Sequence, residues 1–335
     1  MRTFALVSLL AVGCSGASEP TPVSSHRADG VMLAKATART DQEPLKAEVA
    51  DRHDSRPTPP NEIQTSKEPR NPTESELARY AWLSATKKVR PLEAVFAPPK
   101  GFKRVAAPTG SFAEFLRGLP LRPAGAEVKA YDGRLLHSAD DARIAAVAEL
   151  DVSPTDIQQC ADSVIRLHAE WVWAAGDKNS IAYHFLSGAL AKWQSYAGGS
   201  RPVIEGNKVS FAQTAKPASD HATFRKYLDM VFNYASTISV AKMSSNPVER
   251  SDLRAGDFFV LPGGPGHAIL ILDVAEDAGG KRVALLGQGF MPAQDFQVLR
   301  DTSRSQSAWF PLDGDDVDTP FWPVAFPWSS LRRMK

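Results

Sequence analysis

Gly256-Asp257-Phe258-Phe259-Val260-Leu261-Pro262-Gly263-Gly264-Pro265-Gly266-His267-Ala268-Ile269-Leu270-Ile271-Leu272-Asp273-Val274 is the stretch on which the reading of the fold turns. Two runs of apolar, β-branched and aromatic residues flank a Gly/Pro turn, the pattern of two antiparallel strands. His267 opens the second strand, where a side chain can be exposed at a sheet rim while its neighbours are buried. With a side-chain period of two, His267, Ile269, Ile271 and Asp273 share one face. The chain turns again between Ala275 and Lys281, and Val283 to Leu286 reads as the next strand. A turn centred near Asp277 and Ala278 sets His267 opposite Gln288. A slip of one residue would send Gln288 to the other face and undo that pairing.

Outward from this hairpin the chain alternates between both kinds of element. Phe296 to Leu299 reads as a further strand. Upstream, Ala126 to Tyr131, Ile144 to Val152, Ile181 to Phe185 and Val209 to Ala212 carry the same signals. Ser111-Phe112-Ala113-Glu114 has capping-box spacing and predicts a short helix that Pro120 closes. Ser153 before Pro154 reads as a second helix start, with Ile157, Cys160, Ala161, Val164, Leu167 and Trp171 on one apolar stripe. That start places Cys160 well inside the helix, on its buried face. His221 to about Val240 predicts another helix. The fold class is α+β, an antiparallel sheet packed on helices.

The 335 residues are 43% hydrophobic and 23% charged with a formal net charge of +1, enough apolar material for one sizeable core. That balance gives no electrostatic reason to expect nucleic acid. At the N-terminus, Arg2, the apolar run Phe4 to Val12 and then Ala11-Val12-Gly13-Cys14 have the order of a lipobox. Residues 1–13 read as a lipoprotein signal peptide and Cys14 as the lipidated residue. Residues 14–75 continue from Cys14 as a tether rich in Ser, Thr, Pro and charge, too poor in apolar side chains to fold alone. Residues 76–335 form a single domain. The chain is expected in the bacterial cell envelope, held to a membrane by its lipid. In the mature chain Cys160 is the second and last cysteine, which excludes an intrachain disulfide while Cys14 is lipidated. His137, His184 and His221 lack metal-ligand spacing, and no cofactor is implied.

About 30 residues around His267, and more loosely the Cys160 helix, resemble the papain-like cysteine- and histidine-dependent amidohydrolases of bacterial cell walls. That resemblance implies Cys160 as nucleophile, His267 as base and Gln288 as the residue that orients the imidazole. A longer motif series resembles a bacterial family known only as domain of unknown function 4846. It comprises Phe96-Ala-Pro-Pro-Lys-Gly-Phe102, Phe115-Leu-Arg-Gly-Leu-Pro-Leu121, Tyr131-Asp-Gly133, Gln158-Gln-Cys-Ala-Asp162, Arg166-Leu-His-Ala-Glu170, Pro265-Gly-His267 and Met291-Pro-Ala-Gln294. This resemblance implies no activity. Two helical i,i+4 pairs, Asp162 with Arg166 and Arg166 with Glu170, read as surface or subunit-edge ion pairs. Three readings stay open: a cysteine amidase or peptidase acting on cell-envelope or peptidoglycan peptides, a non-catalytic envelope binding module on the same fold, and a structural lipoprotein.

Overall fold

The apolar alternation of the 258–288 region builds the centre of the molecule. The computed structural model describes residues 68–335. Among these, nine strands form one antiparallel sheet, numbered along the chain as β1 (Phe102–Arg104), β2 (Ile144–Val147), β3 (Ser245–Pro247), β4 (Phe258–Leu261), β5 (His267–Asp277), β6 (Arg282–Gln288), β7 (Gln297–Leu299), β8 (Trp309–Pro311) and β9 (Leu331–Met334). The order across it is β3-β9-β4-β5-β6-β7-β2, with β8 added on β6 and β1 on β5. This is the expected α+β architecture with a large antiparallel sheet and several helices.

The sheet is buried on both faces, which is why its central strands carry unbroken apolar runs. Phe258, Leu270, Leu272, Leu285 and Val298 belong to the larger core cluster, together with the helical residues Phe115, Leu116, Val164, Leu167 and Phe224. Phe259, Ile269, Ile271, Leu286, Phe310 and Leu331 form a second cluster with Val317 and Phe326. Burying each large apolar side chain contributes roughly 1.5–3 kcal/mol. Helices α1 (Phe112–Arg117), α2 (Cys160–Ala174) and α3 (His221–Tyr234) contribute to the larger cluster. In α3 the buried residues Phe224, Tyr227, Leu228, Val231 and Phe232 follow helical spacing, and Asp220 caps its start by accepting from the Thr223 N–H at 2.8 Å. The helix ends at Tyr234 rather than near Val240. Ala235 is extended there, and Ser236 caps a new short helical turn, accepting from the Ser239 N–H.

Two sequence expectations are corrected by local geometry. Helix α2 begins at Cys160, with Gln159 as its cap, and the segment from Ser153 to Gln158 is irregular. The Gln159 N–H donates to the Asp162 carboxylate at 3.1 Å, which satisfies a backbone group that the expected earlier start would have left inside the helix. The β5–β6 turn is also centred further on than expected. Asp277 binds the N–H groups of Gly279 and Lys281 at 2.8 and 2.9 Å, and Glu276 pairs with Arg282. A bulge between Ile271 and Asp273 then offsets the alternation. Ile269, Ile271 and Val274 consequently share one cluster, while Ala268, Leu270, Leu272 and Ala275 share the other, so Asp273 does not continue the His267 face. Its buried carboxylate is instead clamped by Arg104 at 2.6 Å and Arg117 at 2.8 Å.

At the N-terminal end of the described region, Arg70 bridges Val89, and Thr73 caps the helix Glu74–Arg79. Cys14, the signal peptide and most of the tether lie outside the described residues. No helix among the described residues is long and apolar enough to cross a membrane.

Candidate functional site

Strand β5 begins at His267 because Gly266 can approach where no other residue can. A Cβ there would lie 2.4 Å from the Thr237 hydroxyl oxygen and 2.6 Å from the Leu261 carbonyl oxygen. On β6 the ladder pairs Leu270 with Gly287, so continuing it by one residue sets Gln288 opposite Ile269. The register differs from the expected one by two residues, an even number, and Gln288 therefore keeps the face of His267. Their side chains meet on the diagonal, with His267 Nε2 2.7 Å from Gln288 Oε1. With Gln288 Oε1 as acceptor, the ring proton is on Nε2 and the lone pair is on Nδ1. Nδ1 is buried and has no hydrogen-bond partner.

The third expected residue arrives from α2. A Cβ on Gly289 would lie 2.2 Å from Ser163 Oγ and 3.0 Å from the Gln159 carbonyl oxygen, so a glycine beside Gln288 lets the start of the helix settle directly on the sheet. Cys160 is the first residue of that helix. Its thiol donates to the Gly266 carbonyl at 3.9 Å, and the Ala268 N–H also reaches it. The sulfur thus sits against the backbone on either side of His267, and no hydrogen bond joins it to the imidazole.

Burial dominates the electrostatics of both groups. A helix N-terminus normally lowers a thiol pKa. Here burial, followed by the Asp162 charge, outweighs the neighbouring N–H groups and pushes Cys160 up to about 11. Burial likewise pulls His267 down to about 4, opposed by the hydrogen bond to Gln288. Both are neutral at pH 7, and His267 is 0% and Cys160 5% exposed. The imidazole is covered by aromatic rings: Trp322 stacks on it at 4.8 Å between centroids, and Phe290 meets it edge-on at 5.0 Å.

Other expected motifs converge on the same end of α2. Asp156 accepts from the Gln159 side chain and from the Ala293 N–H, both at 2.7 Å, which ties the 291–294 segment to the helix start. Tyr131 donates its N–H to Ala293, and Gln294 bridges Ala130, so the Tyr131-Asp-Gly and Met-Pro-Ala-Gln motifs are physical neighbours. Arg166 is corrected from a surface residue to a buried one. It is 0% exposed and binds Glu170 and Asp151, rather than lying on a rim.

Sequence reading missed three residues near His267. Gln297 stands directly across the ladder from Gln288, and Thr319 pairs with Trp322, whose ring covers the imidazole. The signal for Gln297 was available: it is a polar residue inside the apolar run Phe296 to Leu299. Thr319 and Trp322 carry no comparable signal.

No curated protein and no solved structure matches the chain. The family described as domain of unknown function (4846) matches residues 92–333, the span that holds Cys160, His267, Gln288 and all of the sheet but the last residue of β9, and the chain belongs to that family.

Proposed function

We propose that this domain is a cysteine hydrolase of amide bonds built on a papain-like plan, with Cys160 as nucleophile, His267 as base and Gln288 orienting the imidazole. One observation carries the reading: Gln288 holds the His267 ring by Nε2, and the basic Nδ1 is left buried and unpartnered on a residue whose backbone neighbours hold the thiol. A purely structural histidine spends both ring nitrogens, since an unmet buried polar atom costs about 1–3 kcal/mol.

The chemistry starts from a neutral pair. The thiol leaves the Gly266 carbonyl for Nδ1, its proton passes to the imidazole, and sulfur attacks the amide carbonyl carbon. Collapse of the tetrahedral adduct breaks the C–N bond, and the imidazolium returns the proton to the departing amine. Water, deprotonated by His267, then cleaves the thioester and regenerates the thiol. An envelope peptide is the substrate class that lipid anchoring through Cys14 would bring within reach. The competing reading, a non-catalytic binding or structural lipoprotein, is favoured by the burial of the thiol and its raised pKa.

Alkylation with iodoacetamide separates the two. Under the hydrolase reading native Cys160 reacts at neutral pH, and His267→Ala slows the reaction at least about tenfold at matched thermal melts. A thiol that stays unmodified until denaturant is added, with no dependence on His267, decides for the non-catalytic reading. For the anchor, Cys14→Ala abolishes incorporation of labelled palmitate; label still entering that variant removes the envelope assignment.

A further inference from the structure

Six side-chain atoms around His267 are buried without a hydrogen-bond partner: His267 Nδ1, Gln288 Nε2, both amide atoms of Gln297, Thr319 Oγ1 and Trp322 Nε1. The residues that carry them are linked one to the next. Gln288 bonds to His267, Gln297 is the cross-strand partner of Gln288, Trp322 stacks on His267, and Thr319 is the ladder partner of Trp322. His267, Gln288 and Gln297 are each no more than 1% exposed. Buried polar atoms are nearly always paired in a folded protein, so a cluster of this kind calls for a polar group that comes from outside the chain.

The hydrogen-bonding inventory selects that group. Gln288 Nε2, Gln297 Nε2 and Trp322 Nε1 only donate, Gln297 Oε1 only accepts, and Thr319 does either, while the lone pair of His267 Nδ1 is kept for the thiol proton. A carboxylate would face the Gln297 Oε1 acceptor with nothing to donate. An ammonium would face three donors with nothing to accept. Either ion would also be desolvated among groups that carry no formal charge, at a cost of several kcal/mol. Of the side chains that reach the adjoining Phe321, Arg143 is paired with Asp141 at 2.7 Å and His137 lies 3.1 Å from the same carboxylate. A primary carboxamide, whose oxygen accepts twice and whose nitrogen donates twice, matches the mixed set.

We propose that Gln288, Gln297, Thr319 and Trp322 form a subsite beside His267 for an uncharged carboxamide, such as a glutamine or asparagine side chain or an amidated carboxyl of a peptide. The inference rests on reading this region as the substrate site of the hydrolase and names the group that the site takes. The hairpin of Asp316–Thr319 and Trp322–Pro327 covers this side of His267. This hairpin is a separate two-stranded sheet, held by Val317 and Phe326 in the core while Trp322 reaches over the imidazole.

The test uses the purified full chain and two probes, N-acetyl-glutamine N-methylamide and N-acetyl-glutamate N-methylamide, of which only the first carries a primary carboxamide, the second having a carboxylate in its place. The readout is the indole N–H resonance of Trp322, assigned with Trp322→Phe. The glutamine probe moves that resonance saturably and binds about tenfold or more tighter than the glutamate probe. Cys160→Ser titrates like the wild type, since binding does not need the thiol. Gln297→Leu and, independently, Thr319→Val each weaken the glutamine probe at least about fivefold without lowering the melting temperature. An unmoved indole, or equal affinity for both probes, overturns the inference. Probe binding with an inert Cys160 leaves the subsite standing and removes the hydrolase; a reactive Cys160 with no probe binding does the reverse.

Discussion

Arg166 and His267 are both wholly buried, and their surroundings differ in how completely hydrogen bonds are met. The Arg166 guanidinium donates to Glu170 at 2.8 Å, to the Asp151 carboxylate at 2.6 Å, to the Asp151 carbonyl at 3.1 Å and to Gln158 at 3.2 Å. Glu170 is closed on its other side by His221 at 2.9 Å. The charge is matched by carboxylates that sit on the same helix and the segment before it, so this cluster stitches the start of α2 to its own approach. Around His267 the opposite holds, with six unpartnered atoms and no formal charge among the groups that carry them. Burial alone therefore does not distinguish a structural polar cluster from a functional one. Completeness does at these two side chains: Arg166 has no unpartnered atom, the nearest open group being Arg225 Nη1 beyond Asp151 and Gln158, whereas the open set around His267 is held at a cost that a ligand can offset.

The largest effect that would break this comparison is at Arg166. Arg166→Met strands Glu170 in the core and is expected to cost roughly 3–5 kcal/mol, a fall in Tm on the order of 10 °C. Urea denaturation measures it, and a loss below about 1 kcal/mol would mean that the network is not what holds this part of the domain.

Protonation sharpens the contrast. His168 and His267 are both pulled by burial to about 4, below the ordinary value of 6.5. The unfolded chain therefore takes up the proton first, so this contribution to stability is complete above about pH 6.5 and is lost as pH falls towards 4. At pH 5 the expected loss is about 2 kcal/mol for each histidine. His168 is already hydrogen-bonded through Nδ1 to the Tyr183 hydroxyl at 2.9 Å, whereas His267 Nδ1 has no partner. Stability curves of His168→Gln and His267→Gln between pH 7 and 5 test this, each variant removing about 2 kcal/mol from the loss of stability over that range. An unchanged slope in either would mean that its imidazole is already charged when folded.

The smallest expected change is the most diagnostic. Gln297→Leu removes two unpartnered buried atoms and should alter stability by less than about 1 kcal/mol or raise it. A cost approaching that of Arg166→Met would place Gln297 in the structural class and close the open cluster.

Much of this arrangement was legible because strands of this sheet announce themselves. Phe258–Leu261 is the first of the two apolar runs read there, bounded by Gly/Pro on one side and by the Gly256 turn on the other. The contact between His267 and Gln288 was also legible, although the turn sits further along: parity, rather than the exact partner, decides which face a side chain takes. The start of α2 was not. Ser153-Pro154 has the chemistry of a helix start, but the reciprocal Gln159–Asp162 cap lies further on, and glutamine is an uncommon cap. Strand β9 reads Leu-Arg-Arg-Met and offers no alternation; its place comes from Arg333 binding the buried Asp257 at 2.6 and 2.9 Å, a contact between distant segments. Gln297, Thr319 and Trp322 meet only through tertiary structure.

Strand β9 also sets an order of events. It lies between β3 and β4, and β3 has no other strand partner among the described residues. The β4–β5–β6 meander can form from neighbouring segments alone, whereas β3 must wait for residues about a quarter of the chain away. Assembly of this edge is therefore a late event governed by long loop closure, and pulling on residues 331–334 would peel β3 away before the meander yields.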